Sequence, residues 1–395
     1  MGSVSIAPRG RHFFAGPGPT NIPDSVLAAT ARATLDFMSP DFLEVYDGCI
    51  AGLKRLLHTA QEVFLYTGSG HAAWEATLVN LFCPGDRLLM IETGYFSETW
   101  ASMARAHGLE VQLVPADWRR GVDYARVAEA LRADGGHAIR GLCAIHNETA
   151  TGVTLDLPLL RRLLDEAGHP ALLLADTISS LGSIEFRMDD WGVDAVVGGS
   201  QKGLMLPVGF SFTAASAKAM EAHARARLKR FYWDWTLMMQ RRHRSFVGTV
   251  PIGLFYGLRE ALRLIEEEGL ENVLARHARL ADATRACVRH WAGNGDGVQL
   301  FCQSPDRVSN SVTAVLVPEG VDADAVRRRA SGFNVGLGGG LGRLGGKVFR
   351  IGHLGDLNEP MLLGALAAAE MAMRLEAVPH ARGGVEAAMA SLVEG

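Results

Sequence analysis

Asp176 and Lys202 are the residues of this sequence whose types and places could do chemistry together. Asp176 closes the apolar run ALLLAD at 171–176, and Lys202 follows a second run, DAVVGG at 194–199, inside GSQKGLMLPVG. Ligands of α/β sheets bind at the carboxyl ends of strands, which is where both residues fall. A carboxylate there can keep a ring nitrogen protonated; an amine there can condense with an aldehyde and later carry a proton. The pair suits a pyridine aldehyde and points to pyridoxal phosphate. Alone, Lys202 reads as a solvated amine and Asp176 as a helix cap before Ser179. The interval between them has room for one helix and one further strand, which would bring the chain back to the neighbouring strand end.

Two more places carry chemical meaning. In YTGSGHAAW, 66–74, an apolar strand turns into a helix, so the amides of Ser69, Gly70 and His71 lie where unsatisfied N–H groups and the positive helix end meet. Phosphate binds well at such an end, although small-residue turns also serve as plain connections. Arg350 lies within the apolar strand VFRIGH, where an unpaired charge is expensive. Its planar fork suits a substrate carboxylate, the alternative being an internal salt bridge. The glycine-rich GLGGGLGRLGG at 336–346 lacks the GK[ST] ending of a nucleotide loop and reads as a flexible flap near the active site.

The elements that must position these groups follow from periodicity. Apolar runs at 63–67, 87–92, 111–115, 139–146, 171–176, 194–199 and 210–215 alternate with helical spacing over His71 to Leu81, Glu98 to His107, Tyr124 to Arg132 and Leu157 to Glu166. That order predicts an α/β fold, a mostly parallel seven-stranded sheet covered by helices. Pro251 to Glu268 and Leu270 to Trp291 continue as helices. A strand at 312–318, a helix from Asp324 to Ser331, a strand at 348–353 and a helix from Glu359 to Leu375 then predict a small C-terminal α+β domain. A Pro/Gly-rich arm, 1–24, would cross a surface ahead of a large cofactor-binding domain, 25–275, and a small domain, 276–395.

Composition narrows the partners. With 43 acidic and 39 basic residues and no long basic block, nothing predicts a nucleic-acid surface. Cys49, Cys83, Cys143, Cys287 and Cys302 are dispersed with no CxxC pair, which fits reduced thiols and no metal site. Neither a signal sequence nor a membrane span is apparent, so a cytoplasmic location is expected.

Taken together, AGPGPTNIP at 15–23, TGSGHAAWE at 67–75, HNETATG at 146–152, ADTISSLG at 175–182, GSQKGLMLPVG at 199–209 and KVFRIGHLG at 347–355 resemble the class V, fold type I pyridoxal-phosphate aminotransferases. Within that class the chain is similar to the serine–, aspartate– and alanine–glyoxylate transaminases, from about residue 13 to about residue 375. The resemblance implies that Lys202 holds the cofactor and that Asp176 pairs with its ring nitrogen. It also implies that Phe96 stacks on the ring, that Ser69, Gly70, His71 and Gln201 hold the phosphate, and that Thr149 meets the ring hydroxyl. Arg350 would clamp the substrate carboxylate, and Thr249 would reach the phosphate of a neighbouring subunit. The implied assembly is a homodimer with shared active sites. The implied substrates are a small amino acid, serine favoured, and a 2-oxo acid, glyoxylate.

This chain departs from its relatives at two places. Phe37, Met38 and Ser39 stand where relatives place His, then Arg or Met, then Ser, and these lie near the expected substrate entrance. Phe246 replaces a Tyr that elsewhere donates to the cofactor phosphate, a bond a phenyl ring cannot make. With Tyr232 or Trp233, the aromatics Phe37 and Phe246 would favour small substrates by exclusion. Aspartate as donor would then require Arg241, Arg242 or Arg244 to reach in. The alternatives are a lyase or desulfurase on the same cofactor, for which Cys302 is the candidate thiol, and a non-catalytic binding protein that keeps the fold.

Overall fold

The computed structural model describes residues 9–241 and 246–394. Its central sheet contains β1 (Glu62–Thr67), β2 (Arg87–Glu92), β3 (Glu110–Pro115), β4 (Ile139–Ile145), β5 (Leu172–Asp176), β6 (Ala195–Gly199) and β7 (Phe210–Ala215). These lie within one residue of the ends expected from the apolar runs. In space the order is β1-β7-β6-β5-β4-β2-β3, with β7 antiparallel to both neighbours and the remaining pairs parallel. Every residue of β5, β6 and β7 is buried, which is why these strands read as continuous apolar runs instead of alternating ones.

Helices cover both faces. They are α1 (Asp24–Thr30), α2 (Pro40–Leu56), α3 (Gly70–Leu81), α4 (Tyr95–Ala106), α5 (Tyr124–Ala133), α6 (Leu157–Glu166), α7 (Ala217–Arg225), α8 (Trp235–Arg241) and α9 (Ile252–Glu268). Local signals start several of them. Ser39 accepts from Phe42 N ahead of Pro40 in α2, and Asp156 accepts from Leu159 N ahead of Pro158 in α6. One face buries Phe42, Phe255 and Leu160, the other Trp74, Trp100 and Trp235. The long α10 (Leu270–Ala292) starts with Val273 in the first of these cores and passes Leu280 into a third.

That third core belongs to a second sheet, β8 (Gln299–Leu300), β9 (Val312–Leu316), β10 (Gly338–Gly339) and β11 (Val348–Gly352), antiparallel in the order β8-β9-β11-β10. Helices α11 (Ala323–Ser331), α12 (Glu359–Leu375) and α13 (Gly384–Glu394) pack on it. This is the expected small α+β unit. No helix of the described residues is long and apolar enough to cross a membrane.

Three local expectations are corrected. The interval between Asp176 and Lys202 holds no α-helix: residues 177–194 are turns joining two adjacent parallel strands. Its serines explain this, because Ser183 Oγ bonds the Ser180 carbonyl and Ser179 Oγ bonds the Asn147 carbonyl, offering the backbone alternatives to a helix. The arm does not run over a surface. Phe13–Phe14 pairs in parallel with Val335–Gly336, and Ala15 is buried in the third core. The glycine-rich segment is built and not loose, since Gly338 and Gly339 pair with Arg350 and Phe349, and Arg343 bonds Glu92 and Glu98.

Candidate active site

The turn after β1 is shaped as an anion cradle. Ser69 precedes α3 in extended conformation and its hydroxyl makes no capping bond, so the helix opens with its amides and that hydroxyl uncommitted to a cap. Gly70 is closely packed: a β-carbon there would collide with Ile178 Cδ1 and force that side chain to move. Gly70→Val is therefore expected to cost about 1–3 kcal/mol by overpacking and to weaken cofactor binding at least tenfold. Thermal unfolding and a cofactor titration check both halves.

Across from this turn, Asp176 ends β5 with both carboxylate oxygens held. Oδ1 accepts from Ile178 N at 2.8 Å and Oδ2 from Trp74 Nε1 at 2.6 Å. No helix follows Asp176 for it to cap; one oxygen instead accepts from the amide two places on. Burial pushes its carboxyl up to about 7, while the Ile178 and Trp74 bonds and the nearby Lys202 charge oppose that. Lys202 lies in the turn after β6 and donates from Nζ to the Pro17 carbonyl of the arm. Thr20 of the same arm donates to the Lys202 carbonyl at 3.0 Å, so the arm closes over the lysine. Burial, with the Arg350 charge, pushes the Lys202 amine down to about 7, against the pull of Asp176. An amine that low is a usable base near neutral pH.

Phe96 is positioned by a buried carboxylate. Glu148 is fully buried and accepts from the amides of Phe96 at 3.1 Å and Ser97 at 3.2 Å, so it caps α4 from outside the helix. Beside it, Thr149 donates to Ser179 Oγ at 2.8 Å. Arg350, 7% exposed, donates from Nε to the Gly339 carbonyl and from Nη1 to the Thr149 carbonyl. Among the described residues it makes no ion pair, which removes the internal salt bridge as an account of its burial. Burial pushes it down to about 10, still charged at neutral pH.

Ser69, Gly70, His71, Phe96, Thr149, Asp176, Gln201 and Lys202 line one cleft of about 110 Å³, together with Trp74, Ile145, Asn147, Ile178 and Ser179. A much larger groove, about 1110 Å³, lies between the arm, α9 and α12 and has no lysine in its lining, so size does not mark the site. The cleft fits pyridoxal phosphate by donor set: open helix amides for an anion, a buried carboxylate for a ring nitrogen, an amine for an aldehyde. Two buried atoms on its wall, Gln201 Oε1 and Asn147 Oδ1, have no partner among the described residues, as expected where a polar ligand completes the network.

Other expected residues lie apart from this cleft. Phe37 and Met38 are 38% and 37% exposed in the turn before α2, and Thr249 is exposed. Phe246 does not border the entrance of this cleft: it is buried against Phe210 and Phe255, centroids 6.1 and 5.7 Å away. Without a hydroxyl to satisfy, its ring is free to join that aromatic core. Arg241 ends α8, and Arg242 and Arg244 lie outside the described residues. Sequence reasoning missed Trp74, Ile145, Asn147, Ile178 and Ser179 as cleft residues. All but Ile145 stand inside the quoted motifs, but no periodicity announces the direction in which their side chains point.

Comparisons with known proteins agree with this geometry. The profile of the family Aminotransferase class-V matches residues 12–330. An L-aspartate–glyoxylate aminotransferase of Paracoccus denitrificans is 46% identical over 90% of this chain and 90% of its own length. A serine–glyoxylate aminotransferase of Methylorubrum extorquens is 44% identical over 92% and 91%. The crystal structure of an alanine–glyoxylate aminotransferase from Nostoc sp. superposes with a TM-score of 0.85 at 33% identity, covering 94% of this chain and 98% of that one. The chain belongs to the class-V aminotransferases, the pyridoxal-phosphate enzymes of fold type I.

Proposed function

We propose that this enzyme moves the amino group of a small L-amino acid, serine ahead of alanine and aspartate, to glyoxylate, leaving glycine and a 2-oxo acid. One observation carries the reading: Lys202 and Asp176 line one cleft while the buried Arg350 keeps its charge without a carboxylate partner. Pyridoxal phosphate supplies the aldehyde and the electron sink that make an amino acid's Cα proton removable. Ser69, Gly70, His71 and Gln201 would hold its phosphate, Phe96 would pack on its ring, Thr149 would meet its hydroxyl, and Asp176 would keep its ring nitrogen protonated. Lys202 would hold the cofactor aldehyde at rest and, once free, would take the substrate's Cα proton as general base and return it as general acid. Arg350 orients the substrate by its carboxylate, which raises the effective concentration of the Cα proton at the lysine.

The relatives' names span aspartate, serine and alanine as donors, so donor choice is argued from residues. Met38 offers no cation to a second carboxylate, and desolvating that carboxylate against an apolar wall costs free energy that nothing returns. Glyoxylate has no side chain and needs only its carboxylate and aldehyde satisfied. Phe37, Met38 and Thr249 lie on the surface of the single chain, which supports a homodimer in which each subunit completes its neighbour's site. The domain division that goes with this reading is an arm to residue 24, a large domain to 275 and a small domain beyond. The sulfur of Cys302 is turned toward the Ser304 and Arg307 carbonyls and does not border the cleft, which disfavours a desulfurase.

The test is kcat/KM for serine, alanine and aspartate at fixed glyoxylate. Serine is expected to lead. Aspartate ahead by more than tenfold, about 1.4 kcal/mol of transition-state preference, overturns the ranking.

A further inference from the structure

Trp74 stands between the phosphate turn and the ring-nitrogen carboxylate, and none of the roles above uses it. It is the fifth residue of α3, 1% exposed, with its indole nitrogen 2.6 Å from Asp176 Oδ2. Its ring is fixed on several sides. It stacks on Trp100 at 5.6 Å and 11° and meets Phe96 edge to face at 6.3 Å and 67°. His71 lies 4.5 Å away, tilted by 53°. The indole can neither swing nor slide without disturbing the turn and the stacking aromatic together.

A buried tryptophan commonly finds an acceptor for its N–H, so the bond by itself is weak evidence. Its neighbour decides the matter. Trp100, parallel to Trp74 in the same core, leaves its own indole nitrogen without a partner, as does Trp118. Among the described residues these two buried indoles have no acceptor from the chain, so a carboxylate is not what a buried indole here requires. The carboxylate needs the donor instead. Asp176 is almost fully buried, and a buried anion requires hydrogen bonds to stay charged. At 2.6 Å the bond is shorter than an ordinary N–H···O bond, the direction in which a charged acceptor shortens it, and the second oxygen is already turned by Ile178 N.

We infer that Trp74 is a positioning residue: its indole N–H orients the Asp176 carboxylate toward the ring nitrogen and keeps it anionic. The inference rests on the pyridoxal-phosphate reading of the cleft. The charged and titratable groups around Asp176 are Lys202 in the turn after β6, Glu148 and His146 after β4, Arg350 beyond Lys202, and His71 on α3. None of their side chains hydrogen-bonds Asp176, so within its surroundings Trp74 is the side chain that holds it.

The test compares binding of two ligands to the apoprotein, with no turnover needed. Pyridoxal phosphate has the ring nitrogen that Asp176 addresses; its 1-deaza analogue has carbon there and the same phosphate, aldehyde and hydroxyl. Trp74→Phe removes the N–H and keeps an aromatic ring. It is expected to raise the Kd for pyridoxal phosphate at least tenfold and that for the 1-deaza analogue less than twofold. A packing role would weaken both equally, and equal losses, or no loss in either, overturn the inference. If Trp74→Phe does not fold, the isosteric β-(3-benzothienyl)alanine, with sulfur in place of N–H, is placed at the same position and must show the same split. Failure of the unmodified apoprotein to bind pyridoxal phosphate at all sinks the reading of the cleft and the role of Trp74 with it, an outcome distinct from equal losses in the variant.

Discussion

Lys202→Ala is expected to lower kcat by about 10⁴ or more, because in the proposed function one residue supplies both the covalent hold on the cofactor and the acid–base step. The two losses can be separated. Removing the amine leaves the helix amides, Asp176 and the aromatic walls in place, so the variant is expected to bind pyridoxal phosphate while losing the visible absorbance band of the lysine-bound form. Added methylamine, which restores a mobile amine but not its placement, is expected to recover a small part of the rate. Lys202 donates to the Pro17 carbonyl and sits beneath Thr20, so the variant also frees the arm; a normal melting temperature with lost activity keeps the chemical interpretation clean. Full activity in Lys202→Ala would reject the assignment.

Asp176→Asn is expected to move activity and stability in opposite directions. A neutral amide cannot hold the ring nitrogen's proton, and removing one preorganised electrostatic group from an active site lowers kcat by roughly 10²–10³. In the apoprotein the same carboxylate is a liability. Burial raises its pKa from 3.8 to about 7, so between those values the native state binds more protons than the unfolded chain. The stability of the apoprotein therefore falls as pH rises through that window and stays low above it. Asn has no charge to desolvate. The apo variant is expected to melt higher than the parent at pH 8 and to lose that advantage at pH 4, read by thermal unfolding at the two pH values. A variant that melts lower at pH 8 would mean that the carboxylate is stabilising without its cofactor.

Both residues are legible in the sequence alone, and for the same reason. Apolar runs long enough to be strands, interrupted by amphipathic helical spacing, place Asp176 and Lys202 at strand ends, and the small-residue turn at 66–74 places a helix start beside them. The sheet is correspondingly close to expectation at all seven strands. The helix expected between Asp176 and Lys202 is absent because local serine bonds and turns close that crossover, an outcome periodicity does not encode. Phe246 shows the same limit: its missing hydroxyl is readable in the sequence, its burial against Phe210 and Phe255 is not.

By itself the sequence determined the α/β class, the strand ends and the chemical types gathered there, because burial on one face or two leaves a periodic trace along the chain. Only the tertiary structure decided which distant groups meet them. The Trp74 indole reaches Asp176 across 102 positions, the Pro17 carbonyl takes the Lys202 amine across 185, and the Thr149 carbonyl anchors Arg350 across 201. A hydrogen bond depends on the direction of one polar atom at the end of a packed side chain, and that direction is set by neighbours remote in sequence, which no local pattern records.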